Sequence, residues 1–166
     1  QAGAQIMPFS PLADEAPDPA ADAVYLPGGY PELFAGRLAG NQVFKKGMHR
    51  AAASGSFIYG ECGGYMVLGE GLVDADGTHH AMLGLLPLVT SFEKRRLNLG
   101  YRLATPKGSL PFVADGLVLT AHEFHYSTIV KQEGEDALFS VQDARGESLG
   151  DCGLRQGNVA GSYLHL

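Results

Sequence analysis

Residues 56–68 read SFIYGECGGYMVL, and this run narrows the possible folds of the chain more than any other. The apolar residues before the cysteine suit a short buried strand, and YMVLGE after it suits a short helix. Between them stands Cys62, bracketed by Gly60, Gly63 and Gly64. A strand that turns directly into a helix is crowded and strained, and glycine tolerates both conditions. The run therefore predicts a strand, a sharp turn that presents a thiol, and a helix.

The preceding residues predict a matching strand and helix. AVYLP at 23–27 is a compact apolar strand stopped by Pro-Gly-Gly, and 31–54 carries apolar residues at helical spacing. Gly55 fits the end of that helix. Residues 23–70 thus predict a βαβα unit with parallel strands joined by a right-handed crossover. Because both strands are continuous apolar runs, we expect the sheet to be covered on both faces.

The second half of the chain is predicted to be rich in β-structure. A terminal hairpin is expected, with strands at 149–154 and 159–166 around a turn near 156–158. A short strand is also predicted at 4–9, followed by a surface loop at 10–22. Five further apolar segments, separated by Gly, Pro and Asp turns, read as strands: 81–90, 97–104, 116–121, 123–130 and 137–142.

Together these elements predict one α/β domain over residues 1–166. Its central sheet is expected to be mostly parallel, with helices on both faces and a β-rich second half. The opening residues read as the tail of a longer pattern, so we expect a further strand and helix before residue 1.

Charge and composition disfavour several classes of partner. The net charge is −6, and the longest basic run is KRR at 94–96, which predicts no nucleic-acid binding. No apolar run approaches the roughly 20 residues of a membrane helix, and the first residues lack the features of a signal peptide. Cys62 and Cys152 lie 90 positions apart, a spacing unlike a zinc or redox pair. We expect two free thiols in the reducing cytoplasm.

The turn gives Cys62 a chemical setting. A residue between a strand and a helix lies at the carboxyl edge of the sheet, where α/β proteins bind ligands. The following helix would favour thiolate by about 1 kcal/mol, and the Gly63 N–H would face a developing oxyanion. The alternative is a small buried hydrophobe, which a free cysteine often is. Cys152 lacks this setting, so we interpret it as structural.

A thiol nucleophile needs a base, and the chain has six histidines. His165, at the end of the last predicted strand, can return to the sheet edge that carries Cys62. His122 and His125 cluster with Glu123 in AHEFHYS, where they would line a polar pocket or bind a metal. The remaining histidines carry weaker signals: His49, His79 and His80. The loop LPGGYPELFA at 26–35 lies at the same edge, and its adjacent glycines would allow a second oxyanion donor.

These motifs match a known family. LPGGYPELFA, YGECGGYMVLGE, LNLGYR, AHEFHYS and GSYLHL together resemble the class I glutamine amidotransferase domain of the cobyrinic acid a,c-diamide synthases, from about residue 5 to 166. The resemblance implies a flavodoxin-like domain that hydrolyses glutamine to glutamate and ammonia. Cys62 would be the nucleophile that forms the thioester, and His165 would activate the thiol of Cys62. The Gly29 and Gly63 N–H groups would form the oxyanion hole. Substrate contacts are expected from a further set: Gly28, Tyr30, Glu61, Tyr65, His122, His125 and Tyr126.

The resemblance also implies what this chain does not supply. The family's amino-terminal synthetase domain binds ATP with Mg²⁺ and a corrinoid, and it uses the ammonia to amidate carboxylates in cobalamin biosynthesis. No GxxxxGK[ST] phosphate loop occurs here, so we expect no cofactor and no metal in this domain. The class I pattern also has an acid two residues after the catalytic histidine, a position beyond Leu166.

Three alternatives remain open at this point. The first alternative is the amidotransferase domain of a related enzyme, such as a cobyric acid synthase, a nickel-sirohydrochlorin amidase or a cell-wall amidase, although AHEFHYS and GSYLHL favour the a,c-diamide synthases. A non-catalytic domain that docks a synthetase would keep the same turn. A cysteine hydrolase of the protease or chaperone type would share the turn, but LPGGYPELFA and LNLGYR weigh against it.

Overall fold

The computed structural model of the chain describes residues 3–134 and 136–166. The predicted βαβα unit is present. β1 (Ala23–Leu26) and β2 (Phe57–Glu61) are parallel neighbours, and α3 (Gly63–Leu68) follows β2 after a single residue. Cys62 is that residue, so the predicted strand–turn–helix unit is confirmed.

The helical segment between β1 and β2 is divided. It consists of a 3-10 turn at Pro31–Phe34, α1 (Ala35–Gly40) and α2 (Gln42–Ala53), so the prediction of one helix over 31–54 is wrong. Asn41 separates the helices in an extended conformation, and its side-chain amide donates to the carbonyl of Pro11 at 2.7 Å. A tertiary contact with the preceding loop thus accompanies the break.

That loop also caps the second helix. The Asp14 carboxylate accepts a hydrogen bond from the Phe44 N–H, in the first turn of α2, at 2.8 Å. A helix begins with N–H groups that lack intrahelical partners, and an acid there satisfies one of them and complements the dipole. The predicted strand at 4–9 is absent: the segment pairs with no strand, and Ile6 is 87% exposed.

The strands of the second half continue the fold in chain order. They are β3 (Gly71–Val73), β4 (His79–Ala81), β5 (Leu88–Ser91), β6 (Asn98–Pro106), β7 (Leu119–His125), β8 (Thr128–Gln132), β9 (Phe139–Asp143), β10 (Ser148–Cys152), β11 (Leu154–Gln156), β12 (Val159–Ser162) and β13 (Leu164–His165). β11 and β12 form a hairpin at the predicted turn, but its strands are shorter than expected. Most of the predicted first strand at 149–154 is β10, which pairs with β9, and the predicted second strand at 159–166 is divided into β12 and β13. The predicted strand at 81–90 is instead the end of β4, a loop and β5.

Three sheets result from these pairings. The central sheet has the order β1-β2-β12-β11, and its first three strands are parallel. A five-stranded antiparallel sheet has the order β10-β9-β6-β7-β13, and a mixed sheet has the order β4-β3-β5-β8. Because β12 and β13 are separated by one residue, the end of the chain passes from the central sheet directly to the antiparallel one.

Two cores lie on opposite faces of the central sheet. Val24, Ile58 and Val159 pack in one cluster with residues of all three helices. Tyr59 and Ala160 pack in a second cluster with residues of the antiparallel sheet. The α/β class is confirmed, but in the described residues the second face carries strands where helices were expected. Among the residues that the structure describes, no helix is long and apolar enough to cross a membrane.

Candidate active site at the carboxyl edge of the central sheet

Cys62 is held in a strained backbone conformation. Its φ is 49° and its ψ is −101°, and its side chain is only 6% exposed. A non-glycine residue in such a region costs on the order of 1–3 kcal/mol, and the surrounding structure must impose it. The neighbouring strand and helix do so, because β2 ends and α3 begins on either side of this one residue.

The glycines after Cys62 let the turn pack against the loop after β1. A Cβ on Gly64 would lie 2.1 Å from the carbonyl oxygen of Leu26, and one on Gly63 would lie 2.7 Å from the nitrogen of Gly29. The Gly64 N–H donates to the carbonyl of Pro27 at 3.1 Å. The two loops predicted at this edge are therefore in direct backbone contact.

His165 reaches the same edge from β13. A Cβ on Gly28 would lie 2.8 Å from Cε1 of His165 and 3.7 Å from the Cβ of Cys62, so Gly28 borders both side chains. Nδ1 of His165 lies 3.0 Å from Oε1 of Glu61. The ring of His122 stacks on the other side, with centroids 4.6 Å apart and planes at 10°. The imidazole is thus fixed by three neighbours.

Cys62 and His165 line one cavity of about 470 Å³. Four predicted site residues, together with one of the predicted oxyanion donors, share its wall: Gly28, Tyr30, His125, Tyr126 and Gly29. Four other lining residues were not predicted: Glu32, Met66, Phe92 and Phe124. Three of them lie within quoted motifs, so proximity in sequence was an available signal: Glu32 in LPGGYPELFA, Met66 in YGECGGYMVLGE and Phe124 in AHEFHYS. Phe92 follows β5 and carries no local signal.

Three predicted substrate contacts lie elsewhere. Tyr65 is 1% exposed and packs edge-on against Tyr163 with centroids 5.4 Å apart, because α3 is buried over its whole length. It is a core residue. His122 is exposed beside His165, and the Glu61 carboxylate faces His165, so neither lines the cavity.

Burial and the neighbouring carboxylates favour the thiol form of Cys62. Burial raises the pKa of Cys62 to about 11, and the carboxylates of Glu61, Glu32 and Glu123 act in the same direction. The Gly63 N–H lowers this pKa, as the helix N-terminus predicted, but burial outweighs it. The expectation of a favoured thiolate is therefore wrong. Thiolate formation requires a base that takes the proton.

A second buried charge network lies behind the cavity. Nε2 of His125 contacts Oε1 of Glu123 at 2.9 Å, and its Nδ1 contacts the carbonyl of Ser127 at 3.0 Å. The hydrogen bond from His125, and then the charges of His125 and Arg102, lower the pKa of Glu123 against its burial. Both nitrogens of His125 are thus occupied, and the described residues contain no group of three or more potential metal ligands.

Comparison with known proteins identifies the family of the chain. The chain matches the CobB/CobQ-like glutamine amidotransferase domain over residues 1–166. It is 64% identical over its whole length to a hydrogenobyrinate a,c-diamide synthase of Sinorhizobium sp.. It is 61% identical over 99% of its length to the protein of the same name from Brucella abortus. The chain spans only 38% and 37% of the length of these two relatives.

A solved structure shares the fold at low sequence identity. The structure of PurLQS from Thermotoga maritima superposes with a TM-score of 0.57 at 20% identity, covering 87% of this chain and 68% of that one. At this identity the likeness concerns the fold alone. The match over the complete chain, together with the two relatives, shows that the chain belongs to the CobB/CobQ-like glutamine amidotransferase domain family.

Proposed function

We propose that this domain hydrolyses glutamine to glutamate and ammonia through a thioester at Cys62. The observation that carries the proposal is the strained, buried Cys62, which shares one cavity with His165 beside the Gly28–Gly29 loop. A packing role for a cysteine requires neither the strain nor the shared cavity. The family to which the chain belongs is the second support.

The reaction proceeds in two balanced halves. In the first, Sγ of Cys62 attacks the γ-carboxamide carbon, and its proton passes to His165 and then to the leaving nitrogen, which departs as ammonia. In the second, His165 takes a proton from water and the hydroxide attacks the thioester carbon. The carbon–sulfur bond then breaks, His165 returns the proton to Sγ, and glutamate leaves. The raised pKa of Cys62 makes this proton transfer necessary.

Two backbone N–H groups are the proposed oxyanion donors. Gly63 is the first residue of α3, so its N–H has no intrahelical partner, and it lowers the pKa of Cys62. Within the described ranges, the Gly29 N–H donates to no backbone acceptor. The two residues are close, since a Cβ on Gly63 would lie 2.7 Å from the Gly29 nitrogen. Converging donors of this kind stabilise the tetrahedral intermediate.

The cavity also offers a place for the charged end of glutamine. The pKa of Glu32 is raised by burial at the cavity wall, and Arg95 opposes that shift. A substrate ammonium group beside Glu32 would relieve the cost of burying the carboxylate. We assign Tyr30, His125 and Tyr126 to the same wall as substrate contacts.

In the whole enzyme, the ammonia would serve a second domain. The two relatives are named for a,c-diamidation of hydrogenobyrinate, and this chain covers little more than a third of either. We therefore propose that residues 1–166 form the glutaminase domain of a cytoplasmic enzyme whose synthetase domain amidates the a and c carboxylates of that corrinoid. ATP and Mg²⁺ would bind in the synthetase domain, because this chain has no phosphate loop of the GxxxxGK[ST] type.

Labelling with a glutamine-analogue electrophile tests the proposal. Incubation of the full chain with 6-diazo-5-oxo-norleucine is expected to modify Cys62, as read by mass spectrometry of peptides. Glutamine should block the modification, His165→Ala should slow it, and Cys152→Ala should leave it unchanged. Modification of both thiols at one rate, or no protection by glutamine, would contradict the proposal and favour a docking domain without catalysis.

Gly28→Ala tests whether the loop after β1 sets the position of His165. The new methyl would lie 2.8 Å from Cε1 of His165, whose ring is held by Glu61 and stacked on His122. We expect glutaminase kcat to fall by about 10²-fold, the effect of roughly 1 Å of misplacement, with little change in Tm. Gly36→Ala is the matched control, because its Cβ would meet His80 at an ordinary 3.7 Å. Equal activity of the two variants would exclude this arrangement.

A further inference from the structure

The residue before the nucleophile faces the proposed base. Glu61 ends β2 and is 9% exposed, and its Oε1 lies 3.0 Å from Nδ1 of His165. Its Oε2 lies 3.4 Å from the N–H of Leu166. In the described part of the chain, no lysine or arginine forms an ion pair with this carboxylate. A buried carboxylate needs partners, and here they are His165, the Leu166 N–H and the hydroxyl of Tyr25.

The sheet pairing explains how residues so far apart in sequence meet. β2 pairs with β12 in parallel, with Glu61 opposite Ser162, and His165 follows three residues later on β13. Tyr25, Tyr59 and Glu61 alternate onto one face of the central sheet, since Tyr25 is the register partner of Tyr59. That face meets the antiparallel sheet to which β13 belongs.

We propose that Glu61 is the positioning residue of the site: its carboxylate accepts a hydrogen bond from the His165 Nδ1–H and so leaves the bare Nε2 for the proton of Cys62. This inference rests on the proposed function, because it assigns His165 the role of base. A carboxylate on one ring nitrogen selects the tautomer and stabilises the imidazolium that forms after proton transfer. The acid thus comes from the residue before the nucleophile.

The charge of Glu61 has two opposed effects on the pair. It raises the pKa of Cys62, after the larger contribution of burial, and so disfavours a thiolate while His165 is neutral. Once His165 carries the proton, the same charge stabilises the imidazolium directly at 3.0 Å. The carboxylate therefore disfavours a Cys62 thiolate beside a neutral His165. It disfavours the thiolate less when the proton of Cys62 passes to His165, because it then stabilises the imidazolium. The Glu61 carboxylate also acts on Tyr25, a residue of the neighbouring strand β1. Burial, and then the charge of Glu61, raise the pKa of Tyr25 to about 12.

Glu61→Gln keeps the size of the side chain and changes only its hydrogen bond to His165, so it tests the positioning role of Glu61. The amide has the same shape. Its oxygen takes the Oε2 position, where the Leu166 N–H donates, so its N–H₂ faces Nδ1, donates to it and selects the tautomer with the proton on Nε2, which cannot accept from Cys62. We expect glutaminase kcat to fall roughly 10²–10⁴-fold, KM to change by less than about threefold, and Tm to stay close to that of the unchanged protein. A residue with only a structural role would instead lower Tm.

Asp74→Asn is the matched control. Asp74 also pairs with a histidine, with Oδ2 at 2.7 Å from Nε2 of His80, but neither residue lines the cavity. The glutaminase kcat of the Asp74→Asn variant should equal that of the unchanged protein. A kcat for Glu61→Gln within about threefold of the control would overturn the proposal.

The tautomer can be read directly on the full chain, whether or not the variant folds. Long-range ¹H–¹⁵N correlation of the imidazoles, recorded as a pH series that reaches the neutral ring of His165, should show that ring protonated at Nδ1 and bare at Nε2. Protonation at Nε2 would refute the assignment of Glu61. This readout needs no turnover, so it tests Glu61 separately from the labelling of Cys62, on which the glutaminase proposal depends.

Discussion

Cys62→Gly and Cys62→Ala are expected to lose glutaminase activity equally, and the glycine variant is expected to be the more stable. Removal of the nucleophile should lower kcat by about 10⁴-fold or more in both. The φ of 49° and ψ of −101° strain any residue that has a Cβ. The free energy of unfolding of Cys62→Gly should therefore be about 1–2 kcal/mol higher than that of Cys62→Ala. Urea unfolding of the two variants measures this difference.

Cys152 provides the control pair. It is the last residue of β10, with no positive φ, so alanine should be more stable there than glycine by about 0.5–1 kcal/mol. The order of stability is thus expected to reverse between the two cysteines. Greater stability of Cys62→Ala than of Cys62→Gly would contradict the strained turn, and residual turnover in either would remove Cys62 from the reaction.

Gly64→Ala is expected to have the largest effect on stability. The added Cβ would lie 2.1 Å from the carbonyl oxygen of Leu26 and 2.7 Å from its carbonyl carbon, both of which are backbone atoms. Relief requires separation of α3 from β1, which disrupts the helical side of the core. We expect the free energy of unfolding to fall by roughly 3 kcal/mol or more, measured by urea titration.

Gly40→Ala is the comparison for this substitution. Gly40 is the exposed last residue of α1, and a Cβ there meets nothing within 4 Å. Alanine should therefore be neutral or stabilising by up to about 1 kcal/mol. A Gly64→Ala variant as stable as Gly40→Ala would mean that α3 does not pack against the end of β1 as closely as described.

Local pattern was enough to predict the elements around the nucleophile. β1, β2 and α3 are short apolar runs punctuated by glycine and proline, and the strong breakers fix where each begins and ends. The turn of the terminal hairpin at Gly157 and Asn158 was predicted for the same reason, although the strand before it begins later than expected. These elements depend on neighbours in sequence, so the sequence determines them.

Local pattern failed where a distant residue decides the backbone. The break at Asn41 accompanies a hydrogen bond to Pro11, thirty positions away, and the helical spacing on either side conceals it. The segment 4–9 has the composition of a strand but no partner strand in the described residues, and a strand requires one. The antiparallel sheet on the second face was likewise hidden, because apolar strands indicate burial without indicating what covers them.

The candidate site divides in the same way. Glycines around one cysteine made the strained turn readable from the sequence, and they determined that a thiol stands at the sheet edge. Only the tertiary structure decided the surroundings of that thiol: burial that raises its pKa, and a carboxylate and an imidazole 104 positions apart in contact at 3.0 Å. Backbone strain follows from adjacent residues, whereas burial and charge follow from which strands pair, and pairing is a property of the whole chain.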